Sequence, residues 1–270
     1  MRSRHTMAAL GVAVMVAAAP ARAAEGVLIA QKMTNASGTV TTHQIQIEKT
    51  RMRAETAGAS GHKQTLIFDG AAQVMRMIDD EAKTYNEMTK AEFDQMGARL
   101  SGAMAQMQEQ MKNMPPEARK QMEAAMQGRG MPGAAEAVTE YKKTGTDKVG
   151  KWTCDKYEGT RGGEKVSEVC TVAPATLGFT AADFDVTKQM AEFFAKLVPQ
   201  GADQLFRIGA ATANGFSGLP VRTVTFTGGK PAGTTEMTDA GRQNIPDSTF
   251  AVPAGYTKRD MMGGRGRGRQ

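Results

Sequence analysis

The stretch Gln64–Phe93, QTLIFDGAAQVMRMIDDEAKTYNEMTKAEF, decides the fold. Three short runs, "QTLIFDG", "QVMRMID" and "KTYNEMT", are alternating or rich in β-branched residues, with turn residues such as Asp69-Gly70 and Asp79-Asp80-Glu81 between them. Spacing this close leaves room only for hairpins, so the runs predict neighbouring antiparallel strands. At Thr89 the period changes. Thr89 and Glu92 form a capping box, in which each side chain satisfies a free backbone donor of the other, and a helix starts there.

Working outward, "VLIAQKMT", "TVTTHQIQIEK" and "RMRAET" precede the stretch as three more strands, separated by Asn35, Gly38, Gly58 and Gly61. On its C-terminal side Pro115 and Pro116 break the helix, because Pro115 pushes Met114 out of helical geometry. A second helix is then expected to stop at Gly128, and "QGRGMPGAAEA" reads as a linker. Strands resume with "AVTEYKK" and the ribbon around the two cysteines. Thr180 and Asp183 start a third helix, along which Phe184, Met190, Phe193, Phe194 and Leu197 recur at helical spacing. "LPVRTVTFTG", "TTEMTD" and "STFAVPAGYTKR" are expected to close the sheet. The class is α+β, with one domain over residues 24–260 that contains a Met-rich helical segment and linker at 89–136.

The N-terminus, MRSRHTMAALGVAVMVAAAPARAAEG, places Arg2 and Arg4 before an apolar run from Met7 to Ala19 and a small-x-small site at Ala21-Arg22-Ala23. This is the pattern of a secretory signal peptide over residues 1–23, with Ala24 as the first mature residue. The run is shorter than the roughly 20 residues that span a bilayer. The expectation is an exported, soluble protein of a bacterial periplasm.

The formal charge of +6 resides in the ends. Arg2, Arg4 and Arg22 belong to the signal and Arg265, Arg267 and Arg269 to the tail GGRGRGRQ, so the body holds 28 cationic and 28 anionic side chains. A neutral body excludes a polyanion-binding surface, and with it nucleic acid as a partner. The tail over residues 261–270 reads as a disordered Gly/Arg end, with contact to an anionic membrane surface as the alternative.

Cys154 and Cys170 are the two cysteines, in "GKWTCDKYEGTRGGEKVSEVCTV". In an oxidising compartment such a pair bonds. Folding the ribbon about Gly162 places Cys154 opposite Cys170, so strand register and sulfur pairing agree. The rival reading, a redox or metal dithiol, lacks a C-x-x-C motif and a nearby histidine.

Little here points to catalysis. His43 and His62, the histidines outside the signal peptide, are too isolated for a zinc site and read as surface or satisfied residues. "GASGH" and "GFSGL" lack the glycine spacing of a nucleophile elbow. Gly128 to Gly133 matches G-x-G-x-x-G but follows a helix and contains Pro132, so the dinucleotide reading fails. Asp79-Asp80-Glu81 reads as a hairpin turn and Asp183 and Asp185 as helix-start charges. No catalytic residue is assigned and no cofactor is implied.

The methionines remain. On a helix, Phe93, Met96, Leu100, Met104, Met107, Met111 and Met114 follow one another at steps of three or four and form one apolar stripe. Such a stripe is expected to turn away from water. Three readings compete, in this order: packing against the sheet, an adaptable wall for an apolar ligand, and a Cu(I) or Ag(I) site at Met104, Met107, Met111 and Met114. With a rise of about 1.5 Å per residue, Met104 and Met111 stand about 10 Å apart, so one ion reaches only a neighbouring pair.

The segments "GVLIAQKM", "QIQIEKTRMRAET", "QTLIFDGAAQVMRMIDDEAKTYNEM", "VGKWTCDKYE", "LPVRTVTF" and "IPDSTFAVPAGY" resemble the LolA-like superfamily of envelope proteins. More narrowly they are similar to the exported group known as domain of unknown function 4412. The shared marks are Arg53-Ala54-Glu55, Lys83-Thr84-Tyr85 and the closing F-x-x-P-x-G-Y from Phe250 to Tyr256. The Met-rich segment, the Arg/Gly tail and the disulfide ribbon depart from it. The resemblance implies a curved antiparallel sheet, an incomplete β-barrel, wrapped over a few helices that plug its concave side. In better-understood members that concavity holds acyl chains. The implied function is non-enzymatic binding or carriage of a lipid or lipoprotein acyl chain.

Overall fold

The structure is a computed structural model that describes residues 23–58, 60–112, 114, 115, 117, 139–194 and 216–260, without the side chains of Met104, Gln108 and Met111. The expected signal peptide up to residue 22, the expected second Met-rich helix with its linker, Leu197 and the Gly/Arg tail lie outside the described residues.

The expected six strands form in sequence: β1 (Ala23–Asn35), β2 (Val40–Ile47), β3 (Arg51–Ala57), β4 (Lys63–Asp69), β5 (Val74–Asp79) and β6 (Thr84–Thr89). Each pairs antiparallel with the next. Two of the turns repeat one device ten residues apart. Asp69 Oδ1 accepts the Ala72 N–H at 2.8 Å and Asp79 Oδ1 accepts the Ala82 N–H at 3.0 Å. The residues that follow, Gln73 and Lys83, adopt left-handed backbone at φ 52° and 48° and return the chain.

A second meander holds β7 (Glu140–Val149), β8 (Trp152–Arg161), β9 (Glu164–Val172), β10 (Leu219–Thr227) and β11 (Lys230–Pro246). The long strand β11 pairs with β1 and welds the meanders together. With the two-residue β12 (Thr257–Lys258) the result is one curved, unclosed sheet in the order β12-β6-β5-β4-β3-β2-β1-β11-β10-β9-β8-β7. All pairings are antiparallel except β12 on β6.

That order places β6 and β7, consecutive strands in the chain, ten positions apart in the sheet. The Met-rich segment is the connection between them. It begins as α1 (Lys90–Lys112), and the capping box forms as expected. The Thr89 N–H donates to Glu92 Oε2 at 2.8 Å and the Glu92 N–H to Thr89 Oγ1 at 3.3 Å. The Thr180–Asp183 box likewise opens a 3-10 turn that runs into α2 (Asp185–Phe194). Burial pushes the Asp183 carboxyl up, but the Thr180 N–H, its hydroxyl and the Arg242 guanidinium outweigh burial and hold it below its ordinary value.

Hairpin register lines up the face that carries the helices. Val27, Ile47, Met52, Phe68, Met75 and Met88 are successive directly opposed partners across six strands, and all six are buried. Phe93 of α1 and Val186, Met190 and Phe193 of α2 join them in one core. Alternation sends the intervening residues to the other face, where Ile67, Ile78, Ile245 and Phe250 form a second cluster.

Two expectations need correction. "STFAVPAGYTKR" does not close the sheet as a strand. Asp247–Phe250 is a 3-10 turn and the segment lies on the second face until β12 pairs with β6, the far end of the sheet from β7. Side-chain bonds hold it there. Arg51 binds both Glu48 and Asp247 at 2.6 Å and stacks on the Phe250 ring at 4.6 Å, while Tyr256 donates to Asp80 at 2.7 Å.

The second correction concerns the cysteine ribbon. The Cys154–Cys170 bond forms, with Cα atoms 5.5 Å apart. The ribbon, however, turns on Gly162-Gly163, both left-handed, and carries a bulge between Gly159 and Thr160. Cys170 therefore pairs with Lys156, and Cys154 reaches it diagonally along the strand. Sequence spacing shows neither a two-residue glycine turn nor a bulge, and together they displace the register by two residues.

Candidate functional site

Beside the fully buried row runs a second one on the same face: Ile29, Ile45, Ala54, Leu66, Met77 and Asn86, again directly opposed from strand to strand. It is apolar over five strands, yet only Ile29 is buried. Ile45 and Leu66 are half-buried against the core, and Met77 is 46% exposed. A third row, Gln31, His43, Thr56, Gln64 and Asp79, is polar. The face thus passes from sealed core through an open apolar strip to a polar margin within four residues along each strand.

Helix α1 departs from the expected stripe in a specific way. Phe93 is buried, edge-on to Phe193 at 4.6 Å and Phe194 at 5.1 Å, and Met96 packs against the core. From Ala98 to Ala103 every residue is exposed, Leu100 among them at 41%. Met107 and Met114 are half-buried, and the side chains of Met104 and Met111 lie outside the described residues. The physical reason is that α1 packs mainly on β6 and α2, so its first turns are anchored while Ala98 to Ala103 run clear of the core.

Sequence reading missed the strip because its residues lie on different strands. Alternation within each hairpin would have marked Ile45, Leu66 and Met77 as sharing a face. Nothing local shows that the helices stop short of them. His43, expected as a surface or satisfied residue, is half-buried and bonded at one ring nitrogen. Its Nδ1 lies 3.1 Å from the Thr56 hydroxyl, its Nε2 is shielded from solvent without a hydrogen-bond partner, and burial lowers its pKa.

Other polar features lie away from this face. A shallow pocket of about 390 Å³ sits at the β3–β4 and β5–β6 turns, lined by Ser60, His62, Lys63, Asp80 and Glu81. His62 Nδ1 lies 2.7 Å from Glu81 Oε2 there, but the angle is too poor for a hydrogen bond. Among the described residues no group of three His, Cys, Asp or Glu side chains could hold a metal ion. No described helix is long and apolar enough to cross a membrane.

A family model described as domain of unknown function (DUF4412) matches residues 87–256, more than half of the chain. The chain belongs to this family. The match takes in both helices and the second meander and leaves β1 to β5 on its N-terminal side. No curated protein sequence matches the chain. Among solved structures it is similar to an uncharacterised conserved protein from Thermus thermophilus, at 7% identity and TM-score 0.44, over 87% of this chain and 90% of that one. It is also similar to a chain of the Pseudomonas aeruginosa MucA/MucB complex, at 10% identity and TM-score 0.37, over 86% of this chain and 56% of that one. A third likeness, to PNGF-II, has TM-score 0.35 at 10% identity and spans 31% of that chain. At TM-scores below 0.5 these likenesses carry no inference about activity.

Proposed function

We propose that this DUF4412 protein is a non-enzymatic, exported binding or carrier protein for a lipid or lipoprotein acyl chain. The acyl chain lies along the second row of the helix-bearing face, with the apolar stripe that begins at Phe93 on α1 and ends at Met114 beyond it as the opposing wall. The observation that carries this reading is the row itself: five directly opposed strands present apolar side chains, and the helices leave Met77 and Leu100 in water. Apolar area left open in a continuous strip is surface that a ligand can remove from water, at about 25 cal/mol per Å². Methionine suits such a wall because its flexible, polarizable side chain adapts to more than one shape. The LolA-like resemblance and the signal-peptide pattern support the ligand class and the compartment.

Met77→Asp tests the reading without threatening the fold, since a residue this exposed tolerates substitution within about 0.5 kcal/mol. A fluorescent fatty acid is expected to bind the wild type and to bind the variant at least about tenfold more weakly, because a carboxylate in the strip must be desolvated when the chain is seated. Equal affinities, with unchanged thermal stability, defeat the proposal.

A further inference from the structure

His43 is directly opposed to Thr56 in the polar third row, one strand position pair beyond Ile45 and Ala54 of the open apolar row. At about 3.4 Å of rise per residue, that places its ring about 7 Å along β2 from the Ile45 side chain, on the same face. The imidazole is held by one hydrogen bond, between Nδ1 and Thr56 Oγ1 at 3.1 Å. The Thr56 hydroxyl makes no other hydrogen bond among the described residues; with that hydroxyl as the donor to Nδ1, the imidazole proton resides on Nε2. That nitrogen is shielded from solvent and has no hydrogen-bond partner among the described residues. Burial lowers the His43 pKa, which keeps the ring neutral and preserves this single donor at physiological pH.

A buried donor with no acceptor costs stability, and a fold retains one cheaply only when something else supplies the acceptor. We infer that His43 is the head-group contact of the apolar strip, its Nε2–H donating to the carboxylate or ester carbonyl oxygen of an acyl ligand whose chain lies on Ile45, Leu66 and Met77. The inference rests on the carrier reading above. It adds the ligand's polarity and direction: an oxygen acceptor at the β2–β3 end of the strip and hydrocarbon toward β5. The Nε2 shield means that neighbouring side chains part as the head group seats. Thr56 is a positioning residue, since it fixes the tautomer and makes no contact with the ligand itself.

The test displaces a neutral pyrene-alkane probe with palmitate, methyl palmitate and hexadecane from the full mature chain. The quantity read is the preference for the two oxygen-bearing ligands over hexadecane, which cancels general changes in the strip. His43→Phe is expected to reduce that preference about fivefold to tenfold, the value of one hydrogen bond to the ligand. His43→Gln, which keeps an N–H donor, is expected to retain most of it. An unchanged preference in His43→Phe, with the probe still bound, overturns the His43 assignment and leaves the carrier reading standing. Failure of the wild type to bind the probe or any of the three ligands overturns the carrier reading, and the His43 assignment with it.

Discussion

Phe193→Ala is expected to cost about 3–5 kcal/mol of folding stability, the range for truncating a buried phenylalanine. Phe193 is 1% exposed and touches three other rings: Phe68 of β4 at 5.4 Å, Phe93 of α1 at 4.6 Å and Phe194 at 5.8 Å. It links both described helices to β4. Truncation leaves a cavity under the first turns of α1. The loss is expected to exceed that of Met52→Ala, in the buried row of the sheet, because truncating a phenylalanine leaves the larger cavity. Urea unfolding of the two variants, read by circular dichroism, checks both the size and the order. A loss below about 1 kcal/mol for Phe193→Ala contradicts the packing described.

Reduction of the Cys154–Cys170 bond is expected to lower stability by about 3 kcal/mol, the loop-closure value for a ring of this length in the chain-entropy model. For a domain of this size that corresponds to a fall of about 6–12 °C in Tm. Both sulfurs are buried in the core that holds α2, so a reductant is expected to act slowly on the folded protein and quickly in urea. Calorimetry with and without reductant measures the shift. An unchanged Tm after complete reduction, verified by thiol titration, counts against a stabilising role for the bond.

The sequence was most legible where local chemistry sets structure. Thr89–Glu92 and Thr180–Asp183 bring their own partners within three residues, so both helix starts follow from the residues alone. The Asp69 and Asp79 turns are equally self-contained. Legibility failed where the answer depends on strand register or on how far an element reaches. The diagonal disulfide needs a bulge that no spacing reveals. The C-terminal segment has the alternation of a closing strand. That alternation serves instead to place Phe250, Val252 and Tyr256 against the second cluster.

The Met-rich stripe shows the same limit at the candidate site. Its first two residues, Phe93 and Met96, lie on α1 against the core. Amphipathicity fixes which face of a helix is apolar, but not the length over which a partner covers it. Leu100 is exposed for that reason. The soft-metal alternative remains a matter of Met104, Met107, Met111 and Met114, and nothing among the described residues favours it. The open row from Ile45 to Met77, which carries the proposed function, became visible only with the register of four strands.

Native mass spectrometry of the protein purified from a bacterial host that expresses the full sequence, without denaturation or delipidation, tests the central claim most directly. The predicted result is a folded species heavier than the polypeptide by the mass of one acyl-bearing amphiphile, released on collisional activation and diminished in Met77→Asp. A polypeptide mass alone, from protein that also fails to take up added fatty acid, contradicts the account.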